Sequence, residues 1–179
     1  MEHIRVNDKI RLEELKLSMA EIIYTCIDSD REYLNEWLPF VEFTQKVSDT
    51  EAFITSISNK DKKKDKVYSI WYKEEFAGLI AFKDTDLVNK KTEIGYWLAQ
   101  KMQGKGIATL CVDKLIRYAF KNMKLNRIQI KVAEKNSKSA QIPLRLGFQH
   151  EGIEREGELH KKVYLNLDVY SLLKSEWVQ

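Results

Sequence analysis

The chain is poor in reactive sulfur. Its 179 residues hold two cysteines, Cys26 and Cys111, which excludes a disulfide framework. Both fall at apolar positions of helical runs, as small buried hydrophobes do and nucleophiles do not. Histidine is also scarce: His3, His150 and His160 lie far apart, and none has metal-ligand spacing with cysteine or carboxylates, so no metal is expected. No apolar run reaches the roughly 18 residues that cross a bilayer, and no signal segment is evident, so a cytoplasmic protein without membrane contact is expected. Charge of one sign is lacking too: 30 Lys and Arg against 27 Asp and Glu leave +3. That suits a small anionic ligand. A nucleic-acid partner would want a basic stripe with interleaved aromatics, which is missing. The one lysine run, Lys60 to Lys66, is broken by Asp61 and Asp65 and reads as a solvated loop. With no linker, repeat or low-complexity tract, a hydrophobic content of 44% implies one domain over residues 1–179 with a sizeable core.

What is present centres on Gln103-Gly104-Lys105-Gly106-Ile107-Ala108. An apolar, strand-like run, Ile94 to Leu98, precedes it. A helix follows, because Ala108, Cys111, Val112, Leu115, Ile116 and Ala119 share one face at 3.6-residue periodicity. A strand, a glycine turn and a helix start together present backbone N–H groups at the positive end of a helix dipole, which is a phosphate site. A P-loop needs G-x-x-x-x-G-K-[ST], and no such run occurs. The dinucleotide fingerprint fails at its third glycine, where Thr109 stands. It also lacks its ribose-binding acid, since no Asp or Glu occurs from Lys114 to Ala133. The pattern that fits is Q/R-x-x-G-x-G/A, met by Gln103, Gly106 and Ala108.

A second cluster lies downstream. Arg127 to Ala133 alternates as a strand. Asn136 then N-caps a short helix that contains Ser139. Pro143 inside that helix removes one N–H and frees the carbonyl of Ser139. Gly147 of Leu146-Gly147-Phe148 stops it. With both clusters in this order, the chain resembles the GNAT superfamily of acyl-CoA-dependent N-acetyltransferases. The resemblance implies a mixed α/β fold. Its central sheet is mostly antiparallel, with the family's fourth and fifth strands splayed and helices on both faces. It also implies acetyl-CoA as cofactor. The strand end Trp97, Leu98 and Ala99 would hold it, with the turn and helix start Gln103, Gly104, Lys105, Gly106, Ile107, Ala108 and Thr109, and Asn136 on the pantetheine arm.

Arg31 to Phe40 is similar to the R-x-x-L-x-x-W-L-P segment of the ribosomal-protein N-alpha-acetyltransferase branch. The terminal Asp168 to Trp177 fits as well, so the likeness runs from about Arg11 to Trp177. This branch implies a catalytic pair of Ser139 and Glu158, with Glu154 and Glu156 as neighbours that a register slip would substitute, and Trp37 beside the acceptor. The chemistry is consistent. An amine must be neutral to attack a carbonyl, and Glu158 can collect its proton through a water. A backbone N–H near Leu98 can face the oxyanion, and Ser139 can serve the departing sulfur. The acceptor is an amine: a protein N-terminus, or a small molecule such as a polyamine or aminoglycoside-like compound. A non-catalytic acyl-CoA-binding module is a third reading, and edge-strand pairing into a homo-oligomer is open.

The remaining elements follow from local pattern. A first strand ends near Leu15, and Ser18 caps a helix through about Asp28. Arg31 to Phe40 reads as one short amphipathic helix. Ser48-Asp49-Thr50-Glu51 is a capping box opening a helix to about Asn59. Val67–Tyr72 and Phe76–Phe82 form a hairpin around Lys73-Glu74-Glu75. A strand spans Lys91 to Leu98, and late strands lie near Gly152–Arg155 and Lys162–Ser171.

Overall fold

The structure is a computed structural model that describes residues 3–58 and 64–178. Its strands are β1 His3–Arg5, β2 Ile10–Glu14, β3 Lys66–Tyr72, β4 Glu75–Asp86, β5 Lys91–Leu98, β6 Arg127–Ala133, β7 Gln149–His160 and β8 Val163–Leu173. Its helices are α1 Ala20–Ser29, α2 Arg31–Leu34, α3 Phe40–Phe43, α4 Val47–Ser58, α5 Ile107–Lys121 and α6 Ser137–Arg145. The strands form one sheet in the order β1-β2-β3-β4-β5-β6-β8-β7. Every neighbouring pair is antiparallel except β5 and β6, which are parallel.

That parallel pair is short. It runs only from Lys91 opposite Arg127 to Glu93 opposite Gln129, although β5 continues to Leu98 and β6 to Ala133. Beyond Glu93, β5 stays paired with β4, and β6 stays paired with β8 along its whole length. The two halves of the sheet therefore diverge, and a wedge opens between β5 and β6. This is the expected splay.

Side chains alternate between the two faces of a strand. On one face Ile94, Ile128, Ile130, Tyr170 and Leu172 pack with Ile107, Cys111, Leu115 and Ala119 of α5, all buried. On the other, Leu79 and Trp97 pack with Ile23 and Ile27 of α1 and Ile54 of α4. Helices thus cover both faces, as expected. Burial pushes the Cys111 thiol up to about 12 and the Cys26 thiol up to about 11, so both stay protonated and inert near neutrality.

Several local expectations need correction. Ser18 does not cap α1: it sits inside a 3-10 turn, Leu17–Met19, that leads straight into the helix. Arg31 to Phe40 is not one helix but a single turn, α2, and then α3, which starts after Pro39. The ring of Pro39 fixes a break that the apolar spacing alone conceals. Helix α4 begins at Val47, one residue before the proposed cap. Asp49 does the capping by reaching back to accept from the N–H groups of Gln45 (2.8 Å) and Lys46 (3.0 Å). Asn59 and the start of the lysine run, 60–63, lie outside the described residues. The last two strands are longer than their apolar signal because they form one extended hairpin, closed by Lys161 and Lys162 at positive φ.

Candidate active site

The glycine turn sits at the mouth of the wedge. Strand β5 ends at Leu98, and the N–H of Ala99 donates to the carbonyl of Ala77 on β4 at 2.9 Å. Since successive N–H groups alternate in direction along a strand, the N–H of Leu98 points away from β4, toward the gap. This close approach depends on Gly78, where a Cβ would stand 2.1 Å from the Trp97 carbonyl oxygen. A 3-10 turn, Gln100–Met102, follows. The carboxylate of Asp30, at the end of α1, accepts from the Gln100 N–H at 2.6 Å and ties the turn to the helices of the other face.

Gly104 and Gly106 then take φ of 70° and 72°, the left-handed conformation that glycine enters without steric cost. Gly106 is the N-cap of α5, and among the described residues no side chain caps that helix, so its first-turn amides are left for another acceptor. A Cβ on Gly104 or Gly106 would meet nothing within 4 Å. The space over the turn is therefore empty of protein, as a site for phosphates requires. Lys105 does not point into it: its ammonium lies 5.7 Å from the ring centre of Tyr72.

The turn is one wall of a cleft of about 950 Å³. Trp37, Trp97, Leu98, Gln103, Gly104, Gly106, Ile107, Ala108, Thr109, Asn136 and Ser139 all line it, so most of the expected residues converge. Ala99 is buried behind the wall. The cleft also takes in Tyr33, Leu34, Leu38, Tyr96, Gln141, Ile142 and Arg145, which sequence reasoning missed. For Tyr96 the signal was available: alternation places it on the same face as Ile94 and Leu98.

The opposite wall is α6. Asn136 caps it, its Oδ1 accepting from the Ser139 N–H at 3.2 Å, which leaves only its amide nitrogen free to donate to a ligand. Gly147, at φ 80°, ends the helix in a Schellman arrangement. Phe148 N–H donates to the Pro143 carbonyl at 3.0 Å and Gly147 N–H to that of Leu144 at 3.2 Å. The Ser139 hydroxyl donates to the phenol of Tyr96 at 3.2 Å, and that phenol donates to the Ser139 carbonyl at 3.2 Å. Burial pushes the Tyr96 phenol up to about 12, against the opposing pull of Ser139.

Glu158 lies elsewhere. It projects from β7 on the sheet face opposite α5, opposite Leu165 of β8. On that face Lys83 pairs with the buried Glu93 at 2.6 Å, and Lys131 pairs with Glu154 at 2.6 Å. The Glu158 carboxylate is half-buried and has neither a hydrogen bond nor an ion pair among the described residues. Burial raises its carboxyl above the ordinary carboxylate range. Glu93 adds to that shift, while Lys83 and His160 oppose it. A bulge aims the residue: the register slips between Glu154 and Glu158, and Glu156 sits at φ 54° with its N–H on Asn166 Oδ1 at 2.9 Å. The β7 tip is held down by His160, whose Nε2 lies 3.0 Å from the Asn35 carbonyl. Asn35 belongs to the segment that carries Trp37, and Arg31 braces that segment by donating to the carbonyls of Val41 and Thr44, both at 2.8 Å.

The chain is matched by known proteins in sequence and in fold. The acetyltransferase (GNAT) domain matches residues 9–149. The chain belongs to the GNAT acetyltransferase family. The GNAT protein is 36% identical over 176 residues to YdaF, a proposed ribosomal N-acetyltransferase of Bacillus subtilis (strain 168), covering 97% of this chain and 96% of YdaF. It is 28% identical to the ribosomal-protein-serine acetyltransferase of Escherichia coli (strain K12), covering 95% and 96% of the two chains. The crystal structure of the microcin C7 self-immunity acetyltransferase MccE, in complex with acetyl-CoA and AMP, superposes with a TM-score of 0.90 at 33% identity, covering 95% of each chain. The enzyme is thus an N-acetyltransferase, and acetyl-CoA is its cofactor. The empty, amide-lined turn fits the anionic end of that cofactor. No helix among the described residues is long and apolar enough to cross a membrane.

Proposed function

We propose that this enzyme acetylates the α-amine of a protein N-terminus, of the kind carried by a ribosomal protein, in the cytoplasm. Acetyl-CoA supplies an activated acyl carbon. The turn from Gln103 to Thr109 and the amide of Asn136 would hold it in the wedge. The N–H of Leu98 faces the oxygen that gains charge. Ser139 offers its hydroxyl to the departing sulfur. Glu158, on the far face, takes the proton from the amine, and Trp37 borders the acceptor's path.

One observation carries this reading. The cleft holds an oriented hydroxyl, that of Ser139, and the far face of the sheet carries a half-buried carboxylate, Glu158, within electrostatic reach of Glu93 and Lys83 and with no bonded partner among the described residues. Glu93 and Glu154 on that face are already matched by Lys83 and Lys131, and Asp84 lies close enough to act on Lys131. A polyamine needs several unpaired carboxylates, whereas an acceptor with one amine needs one. An N-terminal amine also titrates near 8 against about 10.4 for lysine, so a single weak base suffices.

Thiol release with peptides bearing free N-termini, spermidine and an aminoglycoside tests the acceptor class. Turnover is expected with peptides, and N-terminal blocking should abolish it. Turnover confined to the small amines would overturn the peptide reading. Acetyl-CoA binding without thiol release from any amine would identify a non-catalytic module. Ser139→Ala should lower kcat by roughly 10- to 100-fold, within the reach of one lost charge-assisted hydrogen bond, while acetyl-CoA still binds. Full activity in that variant removes Ser139 from the mechanism.

A further inference from the structure

Pro143 has no part in the reaction as described, yet it sits in the helix that presents Ser139. In a regular α-helix the carbonyl of residue 139 accepts from the N–H of residue 143. Proline has no N–H, so the Ser139 carbonyl loses that donor in the middle of α6. The Tyr96 phenol supplies one from across the cleft, at 3.2 Å. The same phenol oxygen accepts the Ser139 hydroxyl proton, also at 3.2 Å. One side chain of β5 thus grips both oxygens of one residue of α6, on the two walls that the splay has pulled apart.

We propose that Tyr96 is a positioning residue that acts through Ser139, and that Pro143 frees the Ser139 carbonyl for it. The inference rests on the role given to Ser139 above. The proton of Tyr96 is committed to a carbonyl, so the phenol can only accept from the serine hydroxyl. That holds the hydroxyl in one rotamer, with its proton lent to a weak neutral acceptor. When negative charge develops on sulfur, a charged acceptor outcompetes the phenol, and the hydroxyl turns to it without a search. No covalent bond breaks in either residue; one hydrogen bond changes its acceptor. Tyr96 is not itself the proton source. Burial pushes its phenol up to about 12, well above an ordinary thiol, so that transfer runs uphill. The proton that ends on the thiol comes from the acceptor amine, by way of Glu158 or solvent.

The test measures kcat and directly measured acetyl-CoA binding for Tyr96→Phe, Ser139→Ala, the double variant and Pro143→Ala. Tyr96→Phe should lower kcat about tenfold, the worth of one good hydrogen bond, with acetyl-CoA affinity within about twofold of wild type. Added to Ser139→Ala, it should change kcat by less than about twofold, because the residue it orients is gone. Pro143→Ala restores the competing N–H and should lower kcat roughly threefold, again without loss of affinity. Wild-type kcat in Tyr96→Phe, or the same loss with and without the serine hydroxyl, overturns the proposal. Should Tyr96→Phe fail to fold, unchanged kcat in Pro143→Ala overturns it instead. If Ser139→Ala itself turns over at the wild-type rate, the serine's role fails. If Ser139→Ala is impaired and Tyr96→Phe acts independently of it, Tyr96 alone is misassigned.

Discussion

The two sides of the wedge are built from different materials. The proposed cofactor side is mostly main chain: amides of the Gly104–Gly106 turn, the uncapped start of α5 and the freed N–H of Leu98. The proposed acceptor side is side chains: Glu158, Lys83, Glu93 and Lys131 from four strands, reached past Trp37, whose segment His160 clamps through Asn35. A main-chain site is fixed by local conformation and tolerates any side chain that leaves the backbone in place and the space over its amides open. A side-chain site depends on register and on partners far away in sequence, so one substitution can rewrite it. The acyl donor should therefore be hard to change by mutation, and the acceptor easy.

The sharpest test of that contrast is Glu158→Gln. It should lower kcat by roughly 10²- to 10⁴-fold, the range for a lost general base, and leave acetyl-CoA binding intact. The pH dependence has a definite sign. The base must be ionised to work, and burial beside Glu93 raises its carboxyl. Activity should therefore fall as pH drops through a value above the usual 4.3 or so of glutamate. Read on kcat at saturating acceptor, apart from the limb at about pH 8 that the free amine sets in kcat/KM, that acid limb should vanish in Glu158→Gln. A limb that persists would move the role to another carboxylate facing the same space, Glu154 or Glu93.

Gly78→Ala attacks the support beneath the main-chain side. Its Cβ would fall 2.1 Å from the Trp97 carbonyl oxygen, and its φ is 148°. Backbone cannot swing aside as a flexible side chain can, so a loss of about 3 kcal/mol is expected. Denaturant midpoints measure it. Because Leu98 and Ala99 must shift as β4 moves away, acetyl-CoA affinity should fall too. Unchanged stability would mean that β4 and β5 are not held at the spacing described.

The same contrast decides what could be foreseen from residues alone. Strands β5 and β6 appear at their expected bounds because alternating apolar residues and flanking turns are local signals. The Asn136 cap, the Gly147 stop and the α5 stripe are local as well. The turn was legible because the role proposed for it needs only backbone and glycine. Glu158 could be named only by resemblance. Its placement depends on the Glu154–Glu158 slip with Glu156 in a left-handed conformation, which a non-glycine residue does not advertise. The contact of Tyr96 with Ser139 spans 43 positions and exists only because the sheet splays. Arg31 to Phe40 failed for a related reason: apolar spacing suggested a continuous helix, while Pro39 and the grip of Arg31 on Val41 and Thr44 impose two turns.

The mildest test asks whether backbone conformation alone makes the cofactor side. Gly106→Ala adds one methyl to a position at φ 72° with no protein atom within 4 Å. The fold should lose only the left-handed penalty, about 1 kcal/mol. A methyl over the uncapped α5 amides stands where phosphate oxygens would approach, so acetyl-CoA affinity should fall roughly tenfold, about 1.4 kcal/mol. At saturating acetyl-CoA, kcat should stay near wild type, since Ser139 and Glu158 are untouched; uniform binding is lost, not transition-state stabilisation. Isothermal titration beside steady-state kinetics separates the two quantities. Wild-type affinity in Gly106→Ala would show that side chains such as Gln103 and Arg145 hold the cofactor, and the division between a main-chain wall and a side-chain wall would be lost.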